Sequence, residues 1–459
     1  MGQAARPLKQ NFISMKSKFL NAVLILYLFF AGGIIFAQDS QKELSLTLKE
    51  AQEYAVQHNK MAGSARLDLE ASKMAVWETV ASGLPQVSSS LSFTDNIKQM
   101  VFLLPDFIGG TDKKTPITMG SKFNAPLGLQ AAMPLFNASW YVGVETVKLA
   151  NKLAETNVKS TELDVREAVS SAYYLILISE ESLKILDGNL ANLQETLKST
   201  RAMYNVGMAE STDVDQMLSN VTMVENSRSS LERTVELNYN LLRFQLGVPA
   251  GTRIELKETI EDITSQLNVK TLLSQEFNYS NNLNYQLIEG QEKMSALNLK
   301  SQKALVLPTL NGVISTNRTG MGDKLSEMEW YNNSLYMFQL SVPIFASGQR
   351  YAKIQKARIN LEKATTTKEI VADQLSIQEK QLRYNLVNAN LQYKSQRDNV
   401  EVSKRVYASV ENKYNQGMAS SLELTQANSL FLQAENNYVS ALMNLLQTKL
   451  ALDKLLNNM

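Results

Sequence analysis

Few side chains in this sequence could do chemistry, and their positions repeat. Asp213 and Glu423 lie in two turn segments, YNVGMAESTDV at 204–214 and YNQGMASSLEL at 414–424, 210 residues apart. In each, a tyrosine (Tyr204, Tyr414) precedes a glycine (Gly207, Gly417) that suits the left-handed residue ending a helix. Ser211 or Thr212, and Ser420 or Ser421, can then cap a returning helix. The carboxylate falls in its first turn, where the helix dipole favours negative charge. Two roles are open to such acids: capping alone, or a charged lining that selects ions. Nothing points to bond-making chemistry. The chain has no Cys and one His, His58, which excludes disulfides, thiolate nucleophiles, sulfur-ligated metals and two-His metal motifs. His58 reads as a solvated residue on a polar helix face, and Met203, Met208 and Met418 as gap-fillers near the turns. With 46 Lys+Arg against 45 Asp+Glu, there is no basic excess to meet nucleic acid. The expectation is a protein that is not an enzyme and needs neither cofactor nor metal.

The elements that position these turns come in two copies. Lys16 and Lys18 precede an apolar stretch, 19–37, that ends in small residues before Gln38, the pattern of a secretory signal peptide over 1–37. Met15 sits directly before the basic residues and is an alternative start. Beyond it, three pairs of segments recur in the same order: GLPQV at 83–87 with VLPTL at 306–310, MPLFNAS at 133–139 with VPIFASG at 342–348, and the two turns. Three collinear matches indicate a duplication. The expected division is a first repeat over 38–249, a linker over 250–264 and a second repeat over 265–459.

Within each copy the hydrophobic period changes in one order. The run 46–82 reads as helix from its three-to-four spacing. After Pro85, and after Pro308 in the second copy, the period falls to two, as in a half-exposed strand. A polar loop follows, then a second strand that ends at Pro134 or Pro343, so each copy supplies two strands of about ten residues. These four prolines are the expected helix–strand junctions. Residues 135–248 and 344–459 contain no proline, and a 67-residue helix would be a rod of about 100 Å. Leu190, Leu193, Leu197, Thr200 and Tyr204, and Val400, Ser403, Tyr407, Val410 and Tyr414, keep the alternating spacing of coiled-coil seams. Four strands cannot close a membrane barrel, which usually needs at least eight. Open edges invite aggregation, so the strands call for assembly of several chains. Phe123, Phe136, Trp140, Tyr141, Trp330, Tyr331 and Tyr336 flank the strand ends, either as an interfacial girdle or as ordinary packing.

Together the motifs GLPQV and LVLPTL, MPLFNAS and VPIFASGQR, and YNVGMAESTDVDQ and YNQGMASSLELTQ resemble the TolC family of outer-membrane channel proteins over essentially the whole mature chain. The resemblance implies a mainly α fold with a small β part: duplicated long-helix hairpins and four strands contributing to a trimeric twelve-stranded transmembrane barrel. It implies a homotrimer in outer-membrane lipid, extending into the periplasm. It also implies a periplasmic adaptor and an inner-membrane RND or ABC transporter as partners, in efflux or type I secretion. The two turns become the periplasmic tips, with Glu423 of three copies facing one axis. Gln426 stands where family members carry a second acid, and Ala419 where some carry a basic residue latching onto the first copy. The competing reading is a periplasmic coiled-coil scaffold without channel activity.

Overall fold

The computed structural model describes residues 43–105 and 114–459. The expected signal peptide, the choice between Met1 and Met15, and residues 106–113 of the first copy's loop lie outside the described residues. A small unit contains Glu43, Leu44 and 251–255, in which Arg253 pairs with Glu43 at 3.2 Å. The large unit comprises 45–250 and 256–459.

The segment 46–82, expected as one helix, forms two: α1 (Leu48–His58) and α2 (Lys60–Ala81). The break is at Asn59, whose extended backbone leaves the helical region. Its Oδ1 caps α2 by accepting the Met61 N–H at 2.7 Å, and its buried Nδ2 donates to the Gln245 carbonyl at 2.7 Å. Gly247 seals this corner with φ 71°, and a Cβ there would run into the His58 carbonyl. Replacing Gly247 by Ala should therefore cost about 2 kcal/mol or more, from left-handed strain plus a backbone clash. Gly188→Ala, in open space within a helix, should be neutral or slightly stabilising. Thermal melts of the two variants check the contrast.

Two long helices dominate, α3 (Ala138–Asn205, 68 residues) and α8 (Gln349–Asn415, 67 residues), each about 100 Å long. Their partners are short. α2 packs along part of α3, and α4 (Ser211–Leu246) returns along it from the turn at 206–210. After the small helices α5 (Ile260–Ser265) and α6 (Val269–Ser274), α7 (Leu283–Ala304) and α9 (Ser421–Leu455) flank α8 in the same way. Asn278 and Asn282 act as caps, Asn282 accepting the Asn284 N–H at 3.0 Å. Copies touch where α7 crosses α3: Gly290 leaves room for Leu153, which a Cβ would strike. Glu292 of α7 pairs with Lys368 of α8 at 2.6 Å, and that ammonium holds the carboxyl below its usual range.

The main sheet is antiparallel and mixes the copies. Strands β1 (Gln86–Leu91) and β2 (Thr94–Asp95) pair with β5 (Phe123–Phe136), β5 pairs with β6 (Thr309–Gly322), and β6 with β7 (Glu329–Ser341). Three of these strands exceed the expected ten residues, and Gly320 and Gly322 lie inside β6 rather than in a loop. The first copy's loop is not irregular either: β3 (Met100–Pro105) and β4 (Lys114–Met119) form a second hairpin. Pro85 and Pro308 stand between helix and strand, and Pro343 just beyond β7. Pro134 lies within β5, next to a register shift between Pro134 and Phe136. Its carbonyl side can still pair, and the irregularity absorbs its missing N–H.

Candidate functional site

The two turns are built alike. Each long helix ends in a Schellman motif: Met208 N–H reaches the Met203 carbonyl and Gly207 N–H that of Tyr204, matched by Met418 to Lys413 and Gly417 to Tyr414, all at 2.8–2.9 Å. Gly207 has φ 77° and Gly417 φ 73°. The returning helices start differently. Ser420 caps α9, accepting the Glu423 N–H at 3.2 Å, while the Glu423 carboxylate accepts the Ser420 N–H at 2.8 Å. In the first copy the cap is Glu210, not the expected Ser211 or Thr212. Asp213 accepts the Glu210 N–H at 3.0 Å. Glu210 occupies the place of Ser420, 210 residues earlier, so the duplication and not residue preference decides the boundary.

The hairpins are tied to each other by polar side chains that spacing alone did not reveal. Ser421 donates to the Asp213 carboxylate, in a close contact, and lies 3.3 Å from Gln216. Higher up, Asn220 donates to Thr425 at 2.8 Å and buried Asn189 to Asn428 at 2.6 Å. Thr200 and Tyr414 share a hydroxyl hydrogen bond of 2.7 Å. Where Ala419 offers no basic latch, Ser421 supplies a neutral one. Around this ladder Leu193, Leu197, Met217, Val221, Leu424 and Phe431 form a common core of α3, α4 and α9, which Tyr407 of α8 joins by stacking on Phe431.

The seam pattern holds unevenly. Leu193, Leu197, Thr200, Tyr407 and Tyr414 are buried, but Tyr204 is 48% exposed against 6% for Tyr414. Tyr204 joins Val206, Met208, Met418 and Leu422 as uncovered apolar side chains at the turns. Glu423 and Gln426 are exposed as well.

The two faces of the sheet, assigned by register, differ in composition without separating cleanly. The more apolar face carries Val87 and Leu91, then Leu127, Leu129 and Met133, then Leu310 and Ile314, then Trp330, Tyr336 and Phe338, with Ser89, Thr316, Ser334, Arg318 and Asn332 among them. The more polar face carries Ser88 and Ser90, then Asn124 and Gln130, then Asn311, Ser315 and Asn317, then Asn333 and Gln339, with Val313, Met321, Tyr331, Leu335 and Met337 among them. Every residue of the edge strand β7 is exposed. Among the strand-end aromatics, Phe123 stacks on Phe93 at 5.8 Å, Trp330 lies under Arg318 at 5.4 Å, and Trp140 donates to the Thr79 carbonyl at 2.8 Å. No described helix is long and apolar enough to cross a membrane, which says nothing of the sheet.

The family model described as outer membrane efflux protein matches residues 52–248 and 291–458, one stretch in each copy. The chain belongs to this family. Both turns and the whole of α3, α4, α8 and α9 fall inside the matched stretches. Members are outer-membrane channel proteins rather than enzymes. Among relatives, the toluene efflux pump outer membrane protein TtgC of Pseudomonas putida is 25% identical over 305 residues, 64% of this chain and 59% of that protein. The proteases secretion protein PrtF of Dickeya chrysanthemi is 21% identical over 207 residues, 45% of each. The alignments thus span about half of these relatives' own lengths. In fold, the chain is similar to the outer membrane protein VceC of Vibrio cholerae, with TM-score 0.69, 14% identity and coverage of 89% of this chain and 95% of that one. It is similar also to the CmeC outer membrane channel of Campylobacter jejuni, with TM-score 0.69, 14% identity and coverage of 93% and 90%.

Proposed function

We propose that three copies of this chain close their sheets into one twelve-stranded barrel and act as a passive exit duct across the outer membrane. The two-faced sheet with open edges carries this reading. Its more apolar face suits lipid, its more polar face suits a water-filled lumen, and β7 leaves a full row of backbone groups to pair with the next copy. A periplasmic scaffold would have no use for such a sheet. Native mass spectrometry of detergent-purified protein should give a mass of three chains, and a monomer would sink the proposal.

In the same reading, the long hairpins reach into the periplasm and the apolar turn residues meet an adaptor joined to an inner-membrane pump, proton-driven or ATP-driven. That pump supplies the energy. The domain division, a first repeat over 38–249 and a second over 265–459, belongs to this proposal too. Glu423 serves both as cap and as part of a three-carboxylate ring at the narrow end. Glu423→Ala should therefore cost about 1 kcal/mol of helix stability through the lost cap partner. It should also lower the cation preference of the pore, read as a shift in reversal potential under a salt gradient. An unchanged reversal potential would leave Glu423 with capping alone.

A further inference from the structure

Away from the turns, α3, α4 and α9 enclose a cleft of about 760 Å³. Small residues line it from each helix: Ser182 on α3, Ser227 and Ser230 on α4, Ser429 on α9. Ile185, Leu186, Leu231 and Leu432 give it an apolar floor. Glu435 is the single ionisable side chain in this lining. Among the described residues no hydrogen bond or salt bridge reaches its carboxylate, and burial raises its carboxyl above the usual range. Lys404 on α8 opposes that rise, whereas Glu181 on α3 and Glu401 on α8 add to it. The α4 side contributes hydroxyls and apolar groups to the lining but no charge.

Such a site offers oily walls and a carboxylate held by no hydrogen bond or salt bridge among the described residues, with Lys404 outside the lining. We infer that the cleft binds an organic monocation with an apolar body, its charge set against Glu435 and its body on Ile185, Leu186, Leu231 and Leu432. The volume lies within the roughly 300–1,000 Å³ of small-molecule pockets. An anion would find no cationic partner in the lining, and a bare metal ion would find one carboxylate and no ligand cluster among the described residues. The site belongs to the single chain, so it does not depend on conduction. Binding without conduction would overturn the duct and leave the site standing.

The test is fluorescence anisotropy of rhodamine 6G, a lipophilic monocation, titrated with the full-length protein in lipid nanodiscs, with empty nanodiscs subtracted. Saturable binding is expected, weakened at least tenfold in Glu435→Gln and lost in Ser227→Trp, which fills the cleft. Glu195→Gln, on an exposed part of α3 outside the lining, should bind as the wild type does, and the fluorescein anion should not bind saturably. Unchanged affinity in Glu435→Gln would overturn the assignment, and so would binding that survives Ser227→Trp. Should Ser227→Trp fail to fold, Glu435→Gln alone decides, because it preserves shape and removes only the charge.

Discussion

Replacing Leu129 by Arg should abolish assembly in the outer membrane, while replacing its neighbour Gln130 by Arg should not. The two positions are adjacent in β5 and point to opposite faces of the sheet. Leu129 lies opposite Ser89 and Thr316, near the middle of the strands, on the face that also bears Leu127, Ile314 and Tyr336. Gln130 lies opposite Ser88 and Ser315, on the polar face. An arginine on the lipid face at mid-membrane costs about 2–4 kcal/mol, and a trimer would carry it three times. A lumen-facing arginine stays hydrated and costs far less. The readout is the yield of heat-modifiable trimer in outer-membrane fractions. Loss in Leu129→Arg with retention in Gln130→Arg is expected; the reverse pattern would turn the sheet inside out.

Removing the hydroxyls that tie the hairpins, in a Ser421→Ala, Tyr414→Phe double variant, should raise conductance several-fold. Ser421 bonds the Asp213 carboxylate and Tyr414 bonds Thr200, so each chain loses two links between its copies. A neutral hydrogen bond contributes about 0.5–1.5 kcal/mol and one to a charged group about 1.5–3 kcal/mol. Summed over three chains, the loss is large enough to shift a closed–open equilibrium by more than a hundredfold. Both substitutions spare the caps: Ser420 and Glu423 still start α9, and Glu210 and Asp213 still start α4. Helix content by circular dichroism should therefore be unchanged. Unaltered conductance in a well-folded double variant would remove the ladder from any gating role.

The sequence showed its long helices plainly, because proline-free runs with seam spacing permit little else. It showed the duplication too, through short motifs in constant order. The break at Asn59 was hidden, since one asparagine within a helical pattern looks like a tolerated residue until its carbonyl partner on Gln245 is known. The β3–β4 hairpin was masked by Pro105, Pro116 and the Gly109-Gly110 pair, which read as loop. Alternation revealed strands but could not assign faces, because faces depend on which residue stands opposite Leu129. The tie between Ser421 and Asp213 spans 208 residues, beyond the reach of local spacing. Tyr204 and Tyr414 have the same motif and opposite burial, because only the second has Thr200 facing it.

A trimeric exit duct should conduct ions by itself. Purified wild-type protein and the Ser421→Ala, Tyr414→Phe variant should be reconstituted into planar lipid bilayers and their single-channel currents recorded. Discrete current steps are predicted for the wild type, with larger steps for the variant. Silence from both proteins, with trimer demonstrably inserted in the bilayer, would contradict it.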